Sequence, residues 1–245
     1  MKEQIYTIPV SEAFEARSGK CPLCLLREKW EQNELDLILG ASMMEPDIRI
    51  QTNEKGFCND HLHKMYARGN RLPLALTLES HLAEVEKGLK TGGFFSRDIA
   101  AKSVKRLEEL EHSCYLCDRI DATLARMVET TARLYGREPD FRRLFNEQRM
   151  FCLPHFRALL VKGREILDKK RYEDFVRDAF AVVSGYAKEL GGDVSWFCKK
   201  FDYRYEKEDW KNSKDAVERA LDFLNGTRKS GAAPPACARA GKGLY

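Results

Sequence analysis

The chain has 245 residues, enough for one large or two small domains with a real core. An apolar content of 43% suits a folded chain, while 33% charged residues and few Gly or Pro before residue 226 argue against a loop-rich or all-β fold. The net charge of +4 matches Arg228, Lys229, Arg239 and Lys242 of the acid-free stretch 227–245, so the body is neutral and lacks the net-basic footprint of a nucleic-acid binder; only a local patch stays open.

The first ten residues hold no long apolar run or small-residue cleavage site, and no stretch reads as membrane-spanning. A cytoplasmic address follows, where thiols at motif spacing are metal ligands or redox groups more often than disulfides. Ile5–Val10 (IYTIPV) reads as a short strand or extended arm. Leu26, Trp30, Leu37 and Ile38 mark a helix that ends near Gly40, a C′ glycine by position. Glu45-Pro46-Asp47 and Glu138-Pro139-Asp140 are helix starts, with proline in the first turn and acids at the positive end. Helices follow from His61 to Gly69 and from His155 to Gly163, and longer ones over about 72–90 and 166–190. A charged linker helix runs from Asp98 to His112, and Ile120, Leu124, Met127, Val128, Thr131 and Tyr135 form one helical face. Asp215 and Glu218 suit a capping box for a last helix ending at Gly226, and 227–245 reads as a disordered tail.

A repeat underlies this order. Moving the chain by 93 residues places Cys21, Leu23, Cys24, Glu45-Pro46-Asp47 and Arg49 on Cys114, Leu116, Cys117, Glu138-Pro139-Asp140 and Arg142. At 94, Phe57, Cys58, His61 and Gly69 meet Phe151, Cys152, His155 and Gly163. The reading is an internally duplicated, mainly α helical bundle. Its parts are a first metal-binding repeat over 1–96, a linker helix and second repeat over 97–190, an aromatic-rich segment and helix over 191–226, and the tail.

Each repeat offers one Cys-x2-Cys and one Cys-x2-His pair at an expected helix N-terminus, where the dipole favours thiolate. A tetrahedral zinc ion takes four such donors, and a two-residue spacer lets one turn present both donors of a pair. The eight expected ligands are Cys21, Cys24, Cys58 and His61 in the first site, and Cys114, Cys117, Cys152 and His155 in the second. Within-repeat pairing is easy, because a helix of some 16 residues travels about 24 Å and the remainder can return. The exchanged pairing, Cys21/Cys24 with Cys152/His155, stays open. Four protein ligands close each site, so two structural zinc ions per chain are expected. An iron–sulfur cluster is the alternative ligand chemistry. Thiol redox is another, since Cys-Pro-Leu-Cys echoes thioredoxin-like motifs, but it lacks the βαβ setting and leaves the Cys-x2-His pairs unexplained.

The other candidates read as structure. His63 and His112 suit exposed positions, His81 a packed helix face, and Cys198 core filling among Trp196, Phe197, Phe201, Tyr203 and Tyr205, a cluster read as packing rather than base stacking. Cys237 has no counterpart at a ligand position. No triad, phosphate loop or paired-carboxylate signature stands out, which leans away from an enzyme. The opening residues 2–10, Cys21–Cys24, Met44–Arg49, Thr52–Cys58, His112–Cys117, Phe151–His155 and Phe197–Tyr203 resemble a bacterial family catalogued as a domain of unknown function. The resemblance covers about 1–226; it implies a cytosolic bacterial protein and supplies no activity. The functional expectation is a zinc-binding adaptor or regulatory module for an unidentified protein or small-molecule partner, away from membranes. The alternative is a redox or metal-sensing protein.

Overall fold

The computed structural model describes residues 4–90 and 99–226. Among them are eleven α-helices, two short 3-10 helices and no strand, so the mainly α reading holds. The helices are α1 (Gln4–Glu15), α2 (Pro22–Ile38), α3 (Pro46–Lys55), α4 (Asn59–Ala67), α5 (Arg71–Lys90) and α6 (Ile99–Glu111). They continue as α7 (Tyr115–Arg137), α8 (Pro139–Asn146), α9 (Leu153–Ile166), α10 (Lys169–Lys199) and α11 (Ala216–Asn225). The expected tail, Cys237 and Asp98 lie outside the described residues. No described helix is long and apolar enough to cross a membrane.

The chain forms two compact units that do not follow the expected boundary at 96/97. One is built from 4–28 and 123–226, the other from 29–90 and 99–122, so the divisions fall inside α2 and α7.

In the first unit the expected N-terminal arm is instead helix α1. Its β-branched run suggests a strand, but Tyr6, Val10 and Phe14 recur every four residues, and Val10 and Phe14 are fully buried. Packing thereby overrides local propensity and accommodates Pro9 inside the helix. Phe14 meets Phe141 at 4.9 Å between ring centroids, and Phe145 lies 4.7–5.2 Å from Phe151, Tyr135 and Phe175. At such separations the rings add edge and offset contacts to their burial. At the rim of this core Tyr135 donates to Asp178 (2.6 Å), which also accepts from Arg142 (3.1 Å).

Helix α10 outruns its expected end at 190, its buried face running through Phe175, Ala179, Val183, Tyr186 and Leu190. After it the chain folds back: the Lys200 ammonium donates to the carbonyls of Tyr205, Glu206 and Glu208, and Trp196 Nε1 donates to that of Asp209. Phe197 packs on Phe201 and Trp210, although Phe201 and Tyr203 are largely exposed. Cys198 is exposed, not core filler, because it falls on the solvent side of α10. The expected box at α11 does not form; the Asp215 carboxylate makes no cap and accepts from Arg219 instead (3.0 Å).

The second unit centres on Leu35, Ile38, Leu39, Met65, Leu74, Tyr115, Leu116 and Ile120. Helix α3 packs along α5, which also meets α4 and α6. The buried face of α2 here is Glu31, Glu34, Leu35 and Ile38, while Leu37 of the expected stripe is half exposed. Glu34 is tolerated inside because Arg119 grips both its oxygens at 2.6 and 3.1 Å. Gly40 keeps a negative φ of −111°, so it is not the left-handed cap its position suggested.

Candidate metal centres

Four helix starts carry the eight expected ligands. Cys58 and Cys152 are the N-cap residues of α4 and α9, and Cys21 and Cys114 immediately precede α2 and α7. The second member of each pair, His61, His155, Cys24 or Cys117, stands three residues on, where a first-turn side chain faces back towards the cap. Each pair therefore presents two donors side by side at the positive end of a helix.

The pairs combine in the exchanged sense. Cys21, Cys24, Cys152 and His155 form one group and Cys58, His61, Cys114 and Cys117 the other, the donor atoms of each lying within 4.8 Å of one another. This overturns the expected within-repeat sites, Cys21/Cys24/Cys58/His61 and Cys114/Cys117/Cys152/His155. The physical reason is the stretch after α2. That helix carries the chain about 25 Å at 1.5 Å per residue, and residues 41–55 form a 3-10 turn and α3 packed on α5 instead of a return path. The first group lies wholly in the first compact unit and the second wholly in the other.

The distances suit a single tetrahedral ion. Four ligands at about 2.0–2.3 Å from zinc stand about 3.5–3.8 Å apart along the tetrahedron's edges. In the first group Cys24 and Cys152 Sγ are 3.6 Å apart, and His155 Nδ1 lies 3.6, 3.3 and 3.1 Å from Cys21, Cys24 and Cys152. In the second, Cys58 and Cys117 Sγ are 3.8 Å apart, and His61 Nδ1 lies 3.2–3.4 Å from Cys58, Cys114 and Cys117. Sulfurs held to different irons of a cluster would need wider spacing, so a mononuclear ion fits this donor set better.

The electrostatics of the two groups call for a cation. Burial and the neighbouring sulfurs push the Cys21 thiol well up, while hydrogen bonds from Cys152 and Cys21 pull Cys24 down. In the second group hydrogen bonds to Cys114 and Cys58 push Cys117 up, and those from Cys114 and Cys117 pull Cys58 down. Three sulfurs this close cannot all ionise without a cation to neutralise them. Burial opposes a charged His61, yet its contacts with Cys114, Cys58 and Glu31 outweigh that and raise its pKa to about 11. A metal would displace that proton.

Outside the expected ligands, Glu31 on α2 is 7% exposed and lies 3.2 Å from His61 Nε2. Lys64 donates to both of its oxygens at 2.9 and 3.0 Å. Sequence reasoning missed it; the available signal was an acid on the apolar face of α2, at the heptad-like spacing of Glu31, Glu34, Leu35 and Ile38. Two glycines shape the surroundings. Gly226, at φ +79°, ψ 158°, has the position of its missing Cβ 3.5 Å from both Cys24 and Cys152 Sγ. Gly56, at φ +62°, ψ −157°, precedes Cys58 by two residues, and its carbonyl accepts from Tyr115 N (3.0 Å).

The remaining histidines join neither group. His63 and His112 are exposed as expected, and His81 is half-buried on α5, its Nδ1 3.0 Å from the Asn53 carbonyl.

The chain belongs to a family of unknown function, DUF6062, which it matches over residues 1–231. No curated protein and no solved structure matches it.

Proposed function

We propose that the chain is a zinc-binding helical protein whose two Cys3His groups each hold one ion, and that it serves in the cytoplasm as an adaptor or regulatory module. The observation that carries the reading is the convergence of three sulfurs and one Nδ1 within 4.8 Å, twice, on helix starts. Four protein donors leave no open coordination position, which favours a structural ion over a catalytic one. Binding would release the His61 proton and the thiol protons, coupling metal uptake to the packing of α2, α4, α7 and α9.

The test is elemental analysis with an absorption spectrum of anaerobically purified protein. Two zinc ions per chain without colour support the reading. Iron with sulfide would replace it with a redox or sensing role, and protein that neither carries nor takes up metal would end it. A pull-down using zinc-loaded and chelated protein tests the module role, which requires a partner retained only by the loaded form.

A further inference from the structure

The two groups share a donor set but differ in what stands behind the histidine. His61 Nε2 meets the buried Glu31 carboxylate at 3.2 Å, and Lys64 and Asp60 continue the chain of ion pairs (2.9 and 2.8 Å). Among the described residues no hydrogen bond reaches His155 Nε2. The position 93 residues beyond Glu31 is Leu124, which offers no carboxylate. A carboxylate behind a ligating imidazole fixes the ring's tautomer and orientation and makes it a better donor.

Both groups can be approached from solvent. A cavity of about 300 Å³ opens onto Cys21 and Cys24, with Lys20, Arg149, Tyr186 and Asp222 among its walls. Cys21 and Cys24 are 1% and 4% exposed at its wall, so it brings a small molecule up to the edge of the first group. The second group has an outlet of its own, because Cys58 is half-buried, so retention there depends on how firmly the donors are held.

From this we infer that the metal sites are unequal: Glu31 is a positioning residue that makes the Cys58/His61/Cys114/Cys117 ion the retained one, and the Cys21/Cys24/Cys152/His155 ion is the one that exchanges with small chelators. This rests on the metal-binding reading above. It gives the second site a permanent structural role and makes the first the site through which metal supply is felt.

The experiment is equilibrium competition between the full-length zinc-loaded chain and a chromogenic zinc chelator. Wild type should surrender zinc in two steps of one ion each, and Cys152→Ser should lack the weaker step. Glu31→Leu should weaken the tighter step by about 10–100-fold and leave the weaker one in place. Glu31→Gln, which keeps an oxygen for Nε2–H, should have a smaller effect. Two ions of equal affinity, loss of the tighter step in Cys152→Ser, or an unmoved tight step in a folded Glu31→Leu would each overturn the inference. Should Glu31→Leu not fold, the wild-type and Cys152→Ser titrations decide the inequality, and a tight step unmoved in Glu31→Gln would overturn the role of Glu31. A wild-type chain that takes up no zinc would refute the metal-binding reading itself.

Discussion

Gly56→Ala should be more destabilising than its small size suggests. At φ +62° and ψ −157° Gly56 occupies a region open essentially to glycine, and forcing alanine there costs about 1–3 kcal/mol. The new methyl would also stand 2.8 Å from His81 Nε2 and 2.9 Å from Cε1, closer than real contacts allow. The ring is held by the contact of its Nδ1 with the Asn53 carbonyl (3.0 Å), so moving it forfeits a bond of about 1 kcal/mol. The total is about 2–4 kcal/mol, placed where the chain enters Cys58. Gly69 provides the control, since its φ is also positive (+78°) but nothing lies within 4 Å of its Cβ position. Urea denaturation of both alanine variants, with zinc present throughout, compares a positive-φ site that has a clash with one that has none. Adding His81→Ala to Gly56→Ala should recover the clash part alone. Equal costs for Gly56→Ala and Gly69→Ala, or no recovery in the double variant, would refute this reasoning.

Two further outcomes follow from the first unit's core. Phe145→Ala, which empties a fully buried site among Phe14, Tyr135, Phe151 and Phe175, should cost about 3–5 kcal/mol by chemical denaturation; a cost below 1 kcal/mol would contradict the packing described. At Asp178 burial opposes the charge, but hydrogen bonds from Tyr135, Asn146 and Arg142 outweigh it and lower the carboxyl's pKa below its ordinary value. Its stabilising contribution is therefore complete above the unfolded value of about 4 and is lost as pH falls through the lower folded value. Asp178→Asn should lower stability by about 1.5–3 kcal/mol at pH 7. The gap to wild type should narrow towards pH 2, and a pH-independent gap would refute the linkage.

The helical class, most helix positions and all eight clustered donors were legible in the sequence, because periodicity and ligand spacing are local. The pairing of the clusters was not. It depends on where the chain goes after α2, which is decided by α3 packing on α5. Helix α1 was misread for a related reason: Ile5, Thr7 and Ile8 favour a strand, and only the burial of Val10 and Phe14 selects a helix. Glu31 escaped notice because an acid on an apolar face carries no motif; its role appears only once His61 and Lys64 stand beside it.

The exchanged pairing is tested most directly by counting zinc in two double variants of the full chain. Cys21→Ser with Cys152→Ser damages a single group and should leave one tightly held ion. Cys21→Ser with Cys58→Ser damages both groups and should leave none. The opposite result, no ion in the first variant and one in the second, would contradict the exchanged sites and restore pairing within each repeat.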